Sequence, residues 1–253
     1  MTVPAKTPEP APARRPIPMV RISTVALLGL VAAVTIPAAA ATVALSGSLD
    51  AKQQTVPIQQ TGPVSKVVID TADGSVTVIG DPTMSGVSGQ ADLQWHSFTQ
   101  APLRLDQKFE NGVLMLSRSC LKADCGGATI TVRVPPSVAV DATTSNSGVS
   151  VTGVNGGVKV VTSNAGIDVK DLGNGDVDLH TSNGGVDARF AGAPKTILIE
   201  TSNAHVKVVT DGRTPYYDEV HTSNGQPDLE NVIDRYTSNT IRVFTSNEDV
   251  EIR

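Results

Sequence analysis

The segment Val158-Lys-Val-Val-Thr-Ser-Asn-Ala-Gly-Ile-Asp-Val169 contains the pattern that decides the fold. Apolar and polar residues alternate before and after the triplet Thr-Ser-Asn, and this period of two is typical of β-strands with one buried face. The polar triplet and the glycine that follows it are typical of a turn. The segment therefore predicts a strand, a polar corner and a second strand.

The same triplet recurs along the C-terminal half of the chain. The first four intervals are 18, 19, 20 and 21 residues, and the last two are 15 and 8. A unit of this size cannot bury its own apolar face, whereas stacked units share a continuous core. We therefore predict an all-β fold, a β-solenoid that resembles a parallel β-helix built from short two-strand coils. The triplets begin at Thr144, Thr162, Thr181, Thr201, Thr222, Thr237 and Thr245.

In the central repeats, apolar residues stand two and four positions before the triplet and five and seven positions after its first residue. Because every second side chain of a strand points to the same face, these residues are predicted to form the core. They are Val158, Val160, Val177, Leu179, Ile197 and Ile199 before the corners, and Val149, Val151, Ile167, Val169, Val186, Ala188, Val206 and Val208 after them.

The corners are the site residues that the repeat itself predicts. Stacked Thr and Asn side chains can hydrogen-bond along the stack, and the following glycine suits a left-handed φ angle. The pattern weakens at the C-terminus, where the 8-residue step from Thr237 to Thr245 predicts a cap or a hairpin. The predicted corner residues are Thr144, Asn146, Gly148, Thr162, Asn164, Gly166, Thr181, Asn183, Gly185, Thr201, Asn203, Thr222 and Asn224.

Composition excludes several classes of protein. The 253 residues include 22 Gly and 16 Pro but only 3% aromatic residues, so the core must be aliphatic. This disfavours a helical bundle with aromatic anchors and binding sites built on stacking rings. The net charge of -5 argues against a nucleic-acid partner.

An uncharged stretch near the N-terminus predicts a membrane anchor. Residues 22–49 contain no charged residue, and the apolar part 22–45 is long enough to cross about 30 Å of hydrocarbon. Residues 1–21 carry four basic residues and one acid, which places this end in the cytoplasm. We predict a single-pass protein of the cell membrane with an extracellular C-terminal domain. The alternative is a signal peptide cleaved near the alanines at 38–41, which would make the protein secreted.

These features divide the chain into four parts. Residues 1–21 are a Pro/Arg-rich cytoplasmic tail, 22–45 a transmembrane helix, 46–63 a stalk linker rich in Ser, Gln and Thr, and 64–253 the β-repeat ectodomain. The opening section of this last domain shows the strand and corner pattern in a looser form.

Three features resemble a known family. They are the opening Gly74-Ser-Val-Thr-Val78, a cysteine pair ahead of Thr129-Ile-Thr-Val-Arg-Val-Pro135, and the run of Thr-Ser-Asn-x-Gly-Val corners. Together they resemble the bacterial "putative adhesin" domains built from β-strand repeats, largely a domain of unknown function. A membrane helix ahead of the domain fits actinobacterial members. The resemblance implies a β-solenoid on the cell surface and supplies no catalytic residues.

Cys120 and Cys125 enclose four residues. Such a pair is also half of a zinc site, but the chain has no other cysteine, and the nearest histidine in sequence is His96. Because the domain is predicted to lie outside the membrane, we expect a local disulfide.

The histidines offer a second metal hypothesis. His180 and His221 directly precede corners two repeats apart, with Glu200 at the same position between them. Two rungs of a parallel stack are about 9–10 Å apart, which is too far for one shared ion. We predict an outward ladder in solvent.

Paired carboxylates offer a catalytic hypothesis. Asp168 and Asp187 share one position on adjacent repeats, Lys207 occupies it on the next, and Arg189 lies close by. A glycosidase or a polysaccharide lyase needs such a pair. The short intervals leave no long loops to wall a cleft, so we predict a solvated charge ladder.

The acidic segment 171–178 has alternating oxygen ligands that suit calcium, but it lacks the Gly and final Glu of an EF-hand loop. We predict a return turn there. We expect no metal, no cofactor and no catalytic residue.

The leading functional prediction is a non-enzymatic, membrane-anchored surface protein that presents a rigid ectodomain for adhesion or envelope interaction. Its partner would be cell wall, glycan or protein bound on the solenoid face. The alternatives are an envelope-stress or regulatory accessory protein and, with less support, a polysaccharide-active β-helix enzyme.

Overall fold

A computed structural model describes residues 51–96, 103–120 and 126–253. Every regular element in these ranges is a β-strand, so the all-β prediction is confirmed for this part of the chain. The described residues include no helix with the length and apolar character needed to span a membrane. The predicted tail 1–21 and transmembrane helix 22–45 lie outside the described residues.

The fold contains nineteen described strands. The first eight are β1 (Ala51–Gln60), β2 (Lys66–Asp70), β3 (Val76–Gly80), β4 (Val87–His96), β5 (Arg104–Glu110), β6 (Val113–Ser119), β7 (Gly127–Val134) and β8 (Ala139–Thr143). The next six are β9 (Val149–Thr152), β10 (Val158–Val161), β11 (Ile167–Leu172), β12 (Val177–His180), β13 (Val186–Phe190) and β14 (Thr196–Glu200). The last five are β15 (Val206–Val209), β16 (Tyr217–His221), β17 (Pro227–Leu229), β18 (Thr240–Phe244) and β19 (Val250–Ile252).

The strands form two large mixed sheets. Sheet A has the order β1-β4-β7-β3-β9-β11-β13-β15-β19-β17, and sheet B has the order β16-β18-β14-β12-β10-β8-β2-β6-β5. Between β8 and β19 every pairing is parallel, whereas β4 and β1 follow β7 antiparallel in sheet A and β5 pairs antiparallel with β6 in sheet B. One hydrophobic cluster contains residues of both sheets.

From β6 onward the chain alternates between the sheets. Each strand of sheet B and the following strand of sheet A there form one unit, as β2 and β3 also do, and we call this unit a rung. The parallel register follows the repeat, because Val158 pairs with Val177 and Val177 pairs with Ile197. Each of these three side chains is at most 2% exposed. All fourteen side chains that the alternation predicts to face inward are buried, with exposed fractions from 0% to 2%.

The C-terminal rungs do not follow sequence order. The rung β18/β19 lies between β14/β15 and β16/β17, so the prediction of a terminal cap or hairpin is wrong. Thr245 starts the corner of a complete rung, while Thr237 stands in the turn before β18. Burial explains this order. The rung β18/β19 buries four aliphatic side chains, whereas β16/β17 carries Asp218 and Pro227 at inward positions and therefore suits the end of the stack.

The N-terminal end also differs from the prediction. Residues 51–60 of the predicted stalk 46–63 form β1, which pairs with β4 over ten positions. Ile58 is 1% exposed and Val56 packs against the core, so alternate apolar residues place this segment on the sheet. The composition of the segment, which has four Gln among ten residues, hides this short alternation.

Candidate functional site

The corner threonines are buried and bind backbone carbonyls. Thr144, Thr162, Thr181 and Thr201 are 2% to 7% exposed. The Thr181 hydroxyl donates to the Ala165 carbonyl at 3.0 Å, one rung away. The hydroxyls therefore hydrogen-bond along the stack, as expected, and their acceptors are backbone carbonyls of the neighbouring corner.

The corner asparagines form a continuous ladder along the stack. Each side-chain Nδ2 donates to the side-chain oxygen of the next rung, and the last acceptor is the Asp73 carboxylate. Asp73 lies 3.5 Å from Arg118, so a charged pair ends the chain of dipoles. The distances are 2.7 Å for Asn146 to Asp73, 2.8 Å for Asn164 to Asn146, 2.9 Å for Asn183 to Asn164, 2.8 Å for Asn203 to Asn183, 2.7 Å for Asn247 to Asn203 and 2.7 Å for Asn224 to Asn247.

The corner glycines do not have the predicted backbone conformation. Positive φ angles occur at Gly74, Gly112, Gly126, Gly153 and Gly212, and Gly148, Gly166 and Gly185 are not among them. The corner consists of successive bends whose φ angles are negative. The prediction of a left-handed φ angle at these three glycines is therefore wrong.

Side chains are also sterically tolerated at two of the corner glycines, Gly148 and Gly185. A Cβ at Gly148 would lie 3.4 Å from the Gly166 carbonyl oxygen, which is an ordinary contact. Ser75 and His205 occupy the equivalent position on other rungs. Gly184 differs, because a Cβ there would lie 1.9 Å from the Ala165 oxygen. Backbone geometry therefore requires Gly184. In the column at 148, 166 and 185 it does not require Gly148 or Gly185, whereas a Cβ at Gly166 would be tight, at 3.2 Å from the Gly185 oxygen.

The missing side chains of this column leave a groove on the outer face of sheet A, which we call the glycine groove. It has a volume of about 500 Å³, runs across rungs from Ser75 to His205 and is open to solvent. Its floor is Gly148, Gly166 and Gly185, and its side wall is Thr77, Ser150, Asp168 and Asp187.

The carboxylates of the groove wall lie in register, as predicted. Asp168 pairs with Asp187, and Asp187 pairs with Lys207. Each carboxylate is held by a base on its own strand, Asp168 by Lys170 at 2.8 Å and Asp187 by Arg189 at 2.7 Å. The second oxygen, Oδ1, of each carboxylate is buried and has no hydrogen-bond partner among the described residues.

The outer face of sheet B carries an alternating charge row. Lys66 lies 2.9 Å from Asp141, and Lys159 lies 2.9 Å from Asp178. The hydrogen bond to Asp178 raises the pKa of Lys159. Burial acts to raise the pKa of Asp178, but Lys159 and His180 outweigh it and lower that pKa. The row is thus a set of matched ion pairs with little net charge.

The predicted histidine ladder is interrupted. His180 Nδ1 lies 3.0 Å from Glu200 Oε2, but Phe244 lies between Glu200 and His221. His221 stacks on the Phe244 ring with centroids 5.3 Å apart. The two histidines are therefore three rungs apart, because the rung of β18 is inserted out of sequence order.

The acidic segment 171–178 provides the turn between β11 and β12. Asn174 Oδ1 accepts a hydrogen bond from the Ala193 amide at 2.8 Å, and Asp176 Oδ1 accepts one from Thr196 at 3.1 Å. These oxygens bind backbone amides of the next rung. No group of three or more His, Cys, Asp or Glu suited to a metal occurs among the described residues.

The structure describes only one of the two cysteines of the predicted disulfide. Cys120 is partly buried against the core, whereas Cys125 lies outside the described residues. The Cys120–Cys125 pairing stays a prediction.

Sequence reasoning missed the polar interior of the last rung. Asp218 stands four residues before Thr222, at a position that is apolar in the central repeats, and this departure was visible in the sequence. The Tyr216 hydroxyl is buried without a hydrogen-bond partner among the described residues. The Asp218 carboxylate is buried beside Asn231, whose side-chain hydrogen bond only partly offsets the effect of burial on that carboxylate. Burial raises the pKa of Asp218, and burial with nearby Asp211 and Asp218 raises the pKa of Tyr216 to about 12.

Comparisons with known proteins give structural resemblances only. No protein-family model and no curated protein matches the sequence. A "putative cell adhesion protein" from Clostridium sporogenes is 11% identical over 80% of this chain and 98% of its own, with a TM-score of 0.45. A "putative adhesin" from Bacteroides fragilis is 10% identical over 81% and 98%, with a TM-score of 0.39. A "putative lipid binding protein" from Parabacteroides distasonis is 10% identical over 82% and 98%, with a TM-score of 0.31.

Proposed function

We propose that this protein is a membrane-anchored surface protein whose ectodomain, a β-solenoid, binds an extended partner without catalysis. The glycine groove carries the proposal. Two of its three floor glycines, Gly148 and Gly185, are not required by the backbone, so the groove extends beyond what folding demands. It runs along the axis of the stack and so suits a chain-like ligand such as a glycan, a cell-wall polymer or an extended protein segment.

The chemistry of the groove wall supports binding over catalysis. Asp168 and Asp187 are each held in an ion pair, and the groove is shallow and open to water. General acid–base catalysis needs a carboxylate whose protonation is tuned for the reaction, usually in a water-excluded cleft. The ion pairs instead present a fixed, nearly neutral polar surface.

Multiple weak contacts would give the groove its affinity. Each rung repeats the groove at the strand spacing of about 4.8 Å. Several copies anchored in one membrane would raise the effective concentration further. The anchor and the extracellular orientation rest on the charge pattern around residues 22–45.

A matched pair of variants tests this proposal. The full chain in detergent is screened against immobilised glycans, cell-wall fragments and matrix proteins. Gly148→His fills the groove with the side chain that His205 places there naturally, whereas Gly157→His makes the same change on sheet B, where a Cβ lies 3.5 Å from the nearest atom. We expect the first variant to weaken binding at least about tenfold and the second to leave it unchanged.

Two results would contradict the proposal. One is a panel in which no ligand binds, and the other is equal binding by both variants. Protease treatment of intact cells tests the orientation separately, since an extracellular domain is digested and a cytoplasmic one is protected.

A further inference from the structure

The C-terminal end of the stack exposes a cluster of large apolar side chains. Six large hydrophobic residues of the described chain are exposed, and five of them belong to the last rung and the loop after it. Tyr236 is 97% exposed, far more than an aromatic side chain in a core repeat. We call the five the end cluster; they are Tyr217, Leu229, Val232, Ile233 and Tyr236.

The two ends of the stack differ in whether further strands cover the outermost rung. At the N-terminal end the outer rung β6/β7 is covered by antiparallel strands, with β5 on β6 and β4 on β7. At the C-terminal end β16 and β17 are the outermost strands of their sheets. A parallel bridge between Tyr216 and Ile233 holds the following loop against this end. Large exposed apolar patches at an open edge are typical of interaction surfaces.

The same end is acidic. Residues 210–237 contain six acids and two arginines, a net charge of -4, and residues 22–253 together carry -8. The Glu219 carboxylate has its own partner, Arg242, at 3.0 Å. Asp228 and Glu230 instead share one base, because both lie near the Arg253 guanidinium, at 3.9 and 3.5 Å. The end cluster is therefore set in an acidic field.

The negative charge around the end cluster decides which kind of partner can bind there. A second copy of this end would bring two acidic surfaces together, and Pro227 removes a backbone donor from β17 and so weakens edge-to-edge pairing. Nucleic acids and anionic lipids would be repelled. A segment that alternates basic and apolar residues would satisfy both features, and exposed tyrosines bind Lys and Arg through cation–π contacts.

We propose that the C-terminal end of the stack is a docking surface for an extended, basic and apolar segment of a partner protein. The surface is separate from the glycine groove, so it adds a second partner site to the proposed function. Apolar side chains of the segment would cover the end cluster, and its basic side chains would meet Asp228, Glu230 and Asp234.

The test uses the full chain and short model peptides. A labelled peptide with alternating Lys and Leu and its Glu–Leu counterpart are titrated with the protein, and fluorescence anisotropy reports binding. We expect the Lys–Leu peptide alone to bind, and raising the salt from about 0.05 to about 0.5 M to weaken it. Tyr236→Ala, or Asp228→Asn with Glu230→Gln, should each raise the dissociation constant at least about fivefold.

Met115→Ser is the matched control, because Met115 is 40% exposed at the opposite end and its loss should not change binding. Tyr236→Ala removes a side chain that is almost fully exposed, so folding should be preserved. Equal binding of both peptides, or no effect of the end variants, would overturn the proposal. Sedimentation that shows self-association lost in Tyr236→Ala would overturn it in favour of a second copy.

Discussion

The central rungs carry Val158, Val177 and Ile197 at the first inward position of sheet B, whereas the last rung carries Asp218 at the equivalent place. Each central rung has a neighbouring rung on both sides, which covers its apolar side chains and pairs with the backbone hydrogen-bonding groups of its strands. The last rung has a neighbour on one side only, and its interior is correspondingly polar. The difference shows that the repeat sets the shape of a rung, while the position in the stack sets how apolar the rung must be.

The largest expected effect on stability comes from placing an inward carboxylate, which the last rung has at Asp218, in a central rung. Ile197→Asp places an unpaired carboxylate at a side chain that is 0% exposed. We expect a loss of more than about 4 kcal/mol in the free energy of unfolding, measured by urea denaturation. Leu198→Asn on the outer face of the same strand is the control and should change little, because it adds no charge beside Asp178. Equal losses in both variants would mean that the inward assignment is wrong.

The two kinds of glycine provide the next comparison. Gly184→Ala forces a Cβ to within 1.9 Å of a backbone oxygen, so we expect destabilisation of about 2–4 kcal/mol. Gly148→Ala meets only an ordinary contact at 3.4 Å and should cost less than about 0.5 kcal/mol. Thermal denaturation of both variants measures the difference. A large loss in Gly148→Ala would show that the groove floor is structural.

The asparagine ladder gives a smaller contrast between centre and end. Asn183→Ala removes two ladder hydrogen bonds, to Asn164 and from Asn203, and should cost about 1–2 kcal/mol. Asn224→Ala removes one bond at the free end and should cost about 0.5 kcal/mol. Urea midpoints of the two variants measure the contrast, and equal costs would show that the central ladder bonds stabilise the fold no more than the bond at the free end.

The smallest expected effect is the pH dependence of the last rung. Burial raises the pKa of Asp218 above 3.8, so its protonated form favours the folded state. This stabilisation is present below about pH 3.8 and is lost as the pH rises through the folded-state pKa. Asp218→Val should therefore raise stability at pH 7 by about 1 kcal/mol.

The gain of this variant should shrink as the pH approaches 4, which thermal melts at the two pH values would show. The pKa values of Asp178 and Glu251 are lowered, so these groups make the fold less stable as the pH falls. They do so equally in the wild-type protein and in Asp218→Val, and their contribution cancels when the two stabilities are subtracted. A gain independent of pH would show that the carboxylate is not responsible.

Much of the candidate site follows from local pattern. The register of Asp168, Asp187 and Lys207 was predicted because a repeat interval maps directly onto a parallel neighbour. The glycine groove was not predicted, since glycine at a corner suggests a left-handed turn, and only the φ angles show that the turn is made without it. The end cluster was missed because nothing local tells which rung is last.

Alternation and repeat spacing by themselves determined the strands, the inward faces and the corners, since these depend on residues close together in the chain. Tertiary structure decided the order of the rungs, the antiparallel strands over β6/β7 and the strand at residues 51–60. The physical reason is competition for burial. Segments distant in sequence compete for neighbours on both sides, the most apolar rungs occupy the interior, and the rung with Asp218 and Pro227 is left at the open end.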